Sequence, residues 1–99
     1  MSSTGPDRVQ SRSSASISES AVTIGASDAA LVAGNSARVE LFLQNDHASQ
    51  DIYLSFGGTA QVNKGIRLKA GLGIVITSYT GAVRAIASGA GTVVLIVEV

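Results

Sequence analysis

From residue 37 to the end, apolar and polar positions alternate in short bursts with a period of two, as in strands that bury one face. In residues 37–45, Val39, Leu41 and Leu43 point one way and Arg38, Glu40, Phe42 and Gln44 the other, which leaves Phe42 as an aromatic on an otherwise polar face. Residues 51–56 set Ile52, Leu54 and Phe56 against Asp51, Tyr53 and Ser55, and Gly57-Gly58 ends the run. Residues 65–71 place Ile66 and Leu68 opposite Arg67 and Lys69, residues 72–79 are rich in β-branched side chains, and residues 82–87 put Val83 opposite Arg84. Residues 93–97 are wholly apolar and do not alternate, which predicts a strand buried on both faces, in mid-sandwich or against another subunit.

Upstream the signal is weaker. Residues 17–24 form a candidate strand that tightens at Ala21-Val22-Thr23-Ile24. Residues 25–36 read as a long connection in which Leu31 and Val32 plug the end of the core and Asp28 caps a short helical turn. Residues 45–50 have turn composition and predict a hairpin between the strands that flank them. About seven short strands with turns between them predict an all-β fold, a small antiparallel β-sandwich or barrel over residues 17–99. Residues 1–16, with six serines around Gly5-Pro6, read as a serine-rich N-terminal arm, flexible or extended.

Composition adds a need for partners. Charged residues make up 14% of the 99, well below the roughly 25% of an ordinary soluble domain, so part of the outer surface is expected to be covered. The formal net charge is zero, which gives no electrostatic case for nucleic acid or an acidic membrane and favours association. A chain this short buries a modest share of its surface and has no cysteine for a disulfide, so self-assembly or docking on something larger is the remaining source of burial. The N-terminus lacks the apolar core of a signal peptide and the 93–97 run is far too short to cross a bilayer, so the expectation is a cytoplasmic product.

The chemistry on offer is thin. His47 between Asp46 and Asp51, with serines nearby, suggests a nucleophile, base and orienter, but no serine sits in a strained strand-to-helix turn beside oxyanion donors. The same three side chains match no standard metal spacing. Gly71-Leu72-Gly73 precedes a strand, whereas a phosphate-binding loop leaves one and opens a helix. Arg67, Lys69 and Arg84 could form a basic patch, but lack interleaved aromatics. Tyr53 and Tyr79 could stack on sugars, or pack across strands. The expectation is no catalytic residue, no cofactor and no metal.

Leu43-Gln44-Asn45, Asp51-Ile52-Tyr53-Leu54-Ser55-Phe56-Gly57-Gly58-Thr59-Ala60, Gly65-Ile66-Arg67-Leu68-Lys69-Ala70-Gly71, Tyr79-Thr80-Gly81-Ala82-Val83-Arg84-Ala85-Ile86-Ala87 and Gly91-Thr92-Val93-Val94 follow in that order. This succession, over residues 22–99, resembles a group of small tailed-phage virion structural proteins that includes capsid decoration, or cement, proteins. The resemblance implies a β-sandwich that is made in the host cytoplasm, assembles with itself as a homodimer or homotrimer, and sits on the outer surface of the capsid. There it would bind the major capsid protein and stabilise contacts between its subunits. Interface candidates are Phe42, Val93, Leu95 and Val97, with Arg8 and Arg12 from the arm. The competing reading is a fibre- or spike-associated module that binds host surface carbohydrate.

Overall fold

Eight strands follow one another in residues 17–99, the part of the chain that the computed structural model describes. They are β1 (Ser18–Ile24), β2 (Ala29–Val32), β3 (Glu40–Asn45), β4 (Ile52–Phe56), β5 (Ile66–Leu68), β6 (Gly73–Thr77), β7 (Val83–Ala87) and β8 (Thr92–Glu98). Residues 1–16, and with them the expected arm and its Arg8 and Arg12, lie outside the described residues.

The strands form two antiparallel sheets, ordered β1-β8-β3-β6 and β2-β7-β4-β5. Every connection but one passes between the sheets; only β4 and β5 are joined as neighbours. That interleaving is the jelly-roll arrangement of two Greek keys. The all-β sandwich is as expected, with one strand more. β2 was read as connection, yet it pairs with β7, with a register shift between Ala30 and Val32. Asp28 caps no helical turn, and the described residues contain no helix. Instead its carboxylate accepts hydrogen bonds from Arg84 Nε (3.0 Å) and Nη2 (2.7 Å) and from the Ala60 N–H (2.8 Å).

The core lies between the sheets, where the inward members of each alternation meet. Leu41, Leu43, Ile52, Leu54, Val83 and Val94 are completely buried, with Ile24, Leu31, Leu68 and Ile96 packed among them. Burying side chains of this size is worth about 1.5–3 kcal/mol each, the main stabilising contribution in a fold with few other supports.

The hairpin expected at residues 45–50 does not form; the chain between β3 and β4 is a loop over residues 46–51. β3 has both its edges occupied, by β8 and β6, so the chain leaves its sheet and enters the other through this loop. Asn45, fully buried, holds the crossing: its Nδ2 donates to the Gln50 (2.7 Å) and Leu68 (3.0 Å) carbonyls and its Oδ1 accepts the His47 N–H (3.1 Å). Arg38 corrects the strand pattern in the same way. It sits before β3 rather than on its polar face, and is buried. Its guanidinium donates to Glu98 Oε2, to the Tyr79 and Gly81 carbonyls and to the Ala33 carbonyl. Val39, read as a core position, is exposed.

Candidate interaction surface

The two outer faces of the sandwich differ in chemistry. On the β2-β7-β4-β5 sheet, direct cross-strand partners share a side, so Ala30, Arg84 and Ser55 form one row and Ile86, Tyr53 and Arg67 the next. The charges there are matched. Arg84 is held by Asp28, and Arg67 Nε (3.0 Å) and Nη2 (2.5 Å) reach Asp51 Oδ2 while its guanidinium lies 6.0 Å from the Tyr53 ring centroid. These guanidiniums hold both carboxyls below the usual carboxylate range, with the Ala60 N–H helping at Asp28.

On the β1-β8-β3-β6 sheet the corresponding rows are Glu19, Val97, Phe42 and Val75, then Ala21, Leu95, Gln44 and Gly73, then Thr23 and Val93. Four of the sequence-predicted interface residues, Phe42, Val93, Leu95 and Val97, therefore meet on one outer face. Val75, which the pattern alone did not single out, extends the patch and is 55% exposed. The described residues form only two layers, and none of them covers this face. Val94 and Ile96 are buried inward while Val93, Leu95 and Val97 are half-buried outward. Within the described residues β8 is thus a central strand with one core face and one outer face, so of the two expected ways to cover both faces the mid-sandwich one does not hold.

The ring of Phe42 reaches across the sheet to β6. A Cβ built at Gly73 would stand 2.8 Å from the ring's Cζ, so the absence of a side chain there leaves the ring its place over the neighbouring strand. With Val75 as the direct cross-strand partner of Phe42, the apolar patch extends towards the edge of the sheet.

The other residues singled out for chemistry have structural roles. His47 Nδ1 accepts the N–H groups of Ser49 and Gln50, both at 3.0 Å, and shapes the crossing loop. Among the described residues no group of three or more His, Asp or Glu side chains is placed to hold a metal ion. Tyr53 is buried. Tyr79 packs edge-to-face on Phe56 (5.4 Å between centroids, 88°), and its hydroxyl donates to the Ala82 carbonyl at 2.7 Å. Gly71-Leu72-Gly73 is a turn into β6, with Gly71 at φ +79°. A cleft of about 660 Å³ lies beside the β4–β5 hairpin, lined by Ser55, Phe56, Thr59, Gln61 and Lys64 and by exposed glycine backbone.

No protein-family model and no curated protein matches the chain. Among solved structures it is similar to a chain described as "Bacillus endospore appendages form a novel family of disulfide-linked pili", at 17% identity and a TM-score of 0.46, over 94% of this chain and 96% of that one. A likeness of that degree carries no argument about function.

Proposed function

We propose that the protein is a phage capsid decoration protein that binds the outer surface of the head and stabilises contacts between major capsid protein subunits. The observation that carries this reading is the apolar outer face of the β1-β8-β3-β6 sheet, where Phe42, Leu95, Val97 and Val75 stand together without a covering layer. A contiguous apolar face on a small chain of zero net charge marks an interaction site. The jelly roll itself does not choose the partner, since the same architecture serves capsid and lectin domains alike. The resemblance of the sequence blocks to those of tailed-phage virion proteins is what favours the shell over a glycan.

Such a protein acts by mass action rather than by chemistry. Each copy buries apolar area at a joint between capsid subunits, and it stabilises only the assembled shell because only that state presents the joint. Many weak joints repeated by symmetry add up to resistance against the pressure of packed DNA.

The test is cosedimentation with undecorated phage heads. Saturable binding that raises the heat resistance of the heads, and its loss in Phe42→Asp with the fold retained, is the expected result. A wild-type protein that stays in the supernatant would overturn the reading. The alternative, a fibre-associated module binding host carbohydrate, draws on the cleft where Ser55, Thr59, Gln61 and Lys64 stand beside Phe56. It predicts retention on a glycan array that Phe42→Asp leaves unchanged.

A further inference from the structure

We propose that β6 is a pairing edge through which two copies of the chain join, antiparallel and about a twofold axis, into one continuous eight-stranded sheet. A sheet edge is a row of unpaired backbone groups, and soluble proteins blunt their edges with charge, proline, bulges or short strands. The sandwich has four edges, and three are blunted. β5 has three residues and carries Arg67, β2 has four and a register break, and β1 carries exposed Glu19 between Ser18 and Ser20. β6 has none of these devices: Gly73, Ile74, Val75, Ile76 and Thr77 include no charge and no proline, and three successive residues are β-branched.

The hydrogen-bond alternation shows which groups the edge offers. Glu40 and Val99 exchange both backbone bonds (3.1 and 2.9 Å), and the Asn45 N–H donates to the Leu72 carbonyl at 2.9 Å. Along β3, even-numbered residues therefore bond towards β8, and Leu41, Leu43 and Asn45 bond towards β6. Their partners Ile76, Ile74 and Leu72 use their backbone inward, which leaves the N–H and C=O of Gly73, Val75 and Thr77 directed at the open edge. Among the described residues no backbone bond outside the sheet reaches them.

A second copy fits this edge. With Val75 opposite Val75 of the other copy, Gly73 faces Thr77 at either side, and all the opposed pairs are edge-directed residues that can exchange both their bonds. No like charges meet across the join. An isologous contact closes at two copies, whereas pairing of β6 with β1 of another copy would be head-to-tail and continue into rings or fibres. The twofold join also abuts the two Phe42–Val75 clusters, so the pair presents one apolar surface where each copy alone presents two half-width patches. The proposal concerns the free protein, so it stands or falls apart from the capsid reading.

The experiment is sedimentation velocity on the full chain over a concentration series, without heads present. Wild type is expected to run at twice the 10.0 kDa chain mass. Val75→Pro removes an N–H that β3 does not use and is expected to run as a monomer with unchanged circular dichroism. Val75→Lys provides the same result without proline. Because the chain has no cysteine, air oxidation of Val75→Cys reports the join directly, and is expected to give covalent dimer where the exposed control Leu72→Cys does not. A wild type that is monomeric throughout, larger than a dimer, or still dimeric as Val75→Lys would overturn the proposal.

Discussion

The Phe42 ring and Gly73 occupy a single site between them: the ring lies where a side chain on β6 would otherwise stand. Only the far end of a flexible side chain is in the way, so Gly73→Ala moves the ring rather than the backbone. Its cost to stability is expected to be under about 1 kcal/mol, in the range of surface substitutions. If the outer face binds the shell through Phe42, the same substitution weakens head binding at least several-fold while the denaturation midpoint barely moves. Unchanged binding, with the ring displaced, would remove Phe42 from the interface.

Arg38 closes one end of the sandwich. Its Nε lies 2.7 Å from Glu98 Oε2 on β8, Nη1 lies 3.1 and 3.0 Å from the Tyr79 and Gly81 carbonyls, and Nη2 lies 2.7 Å from the Ala33 carbonyl. One planar fork thus ties the β2–β3 and β6–β7 loops to the last strand. Arg38→Met leaves a carboxylate and three carbonyls without their donor and is expected to cost about 3–5 kcal/mol in urea denaturation. Arg38→Lys cannot reproduce the fork and should cost nearly as much, whereas Glu98→Gln keeps an acceptor and should cost less. A loss below about 1 kcal/mol in Arg38→Met would show that water replaces the network.

These two sites mark what local pattern can and cannot disclose. Alternation placed Leu41, Leu43, Ile52 and Leu54 in the core because a period of two needs no knowledge of the rest of the fold. Phe42 was legible as the aromatic on a polar face, and Val93, Leu95 and Val97 as part of an apolar run. Arg38 was misplaced because its partners come from positions 33, 79, 81 and 98, which no local window contains. β2 escaped notice because Ala-Ala-Leu-Val carries no alternation; it is a strand by virtue of pairing with β7 and of the Asp28–Arg84 contact 56 positions apart. The 46–51 loop was misread since turn composition says that the chain changes direction, not that it changes sheet. Val75 joined the face only when cross-strand register set it beside Phe42.

Two glycines with nearly equal φ separate contact from conformation. Gly65 has φ +81° and Gly71 φ +79°. A Cβ at Gly71 would meet nothing within 4 Å, whereas one at Gly65 would overlap the Leu54 carbonyl oxygen. Gly71→Ala is therefore expected to cost only the left-handed penalty, about 1–2 kcal/mol. Gly65→Ala must also push the start of β5 away from β4, and more than about 3 kcal/mol is expected. Equal losses in chemical denaturation would refute the role of the Leu54 contact.

Acid should expose the ion pairs of the second sheet. Hydrogen bonds from Arg84, then from the Ala60 N–H, hold the Asp28 carboxyl below its ordinary 3.8, and Arg67 does the same at Asp51. A carboxyl whose folded pKa is depressed binds fewer protons folded than unfolded, so stability falls as pH falls. The contribution is therefore complete above about pH 5, begins to fade as the unfolded chain protonates near 3.8, and is gone below the folded values. Both ion pairs lie at the surface with their carboxyls half-buried, so the acid limb should be shallow and should shrink further in high salt. Asp28→Asn is expected to lower the urea midpoint at neutral pH and to flatten the limb below about pH 4, with wild type and variant converging once the folded carboxyl is protonated. Asp51→Asn should act likewise, and the two should add, because they engage different arginines on different strands. A variant that runs parallel to wild type across the whole acid range would show that neither pair contributes.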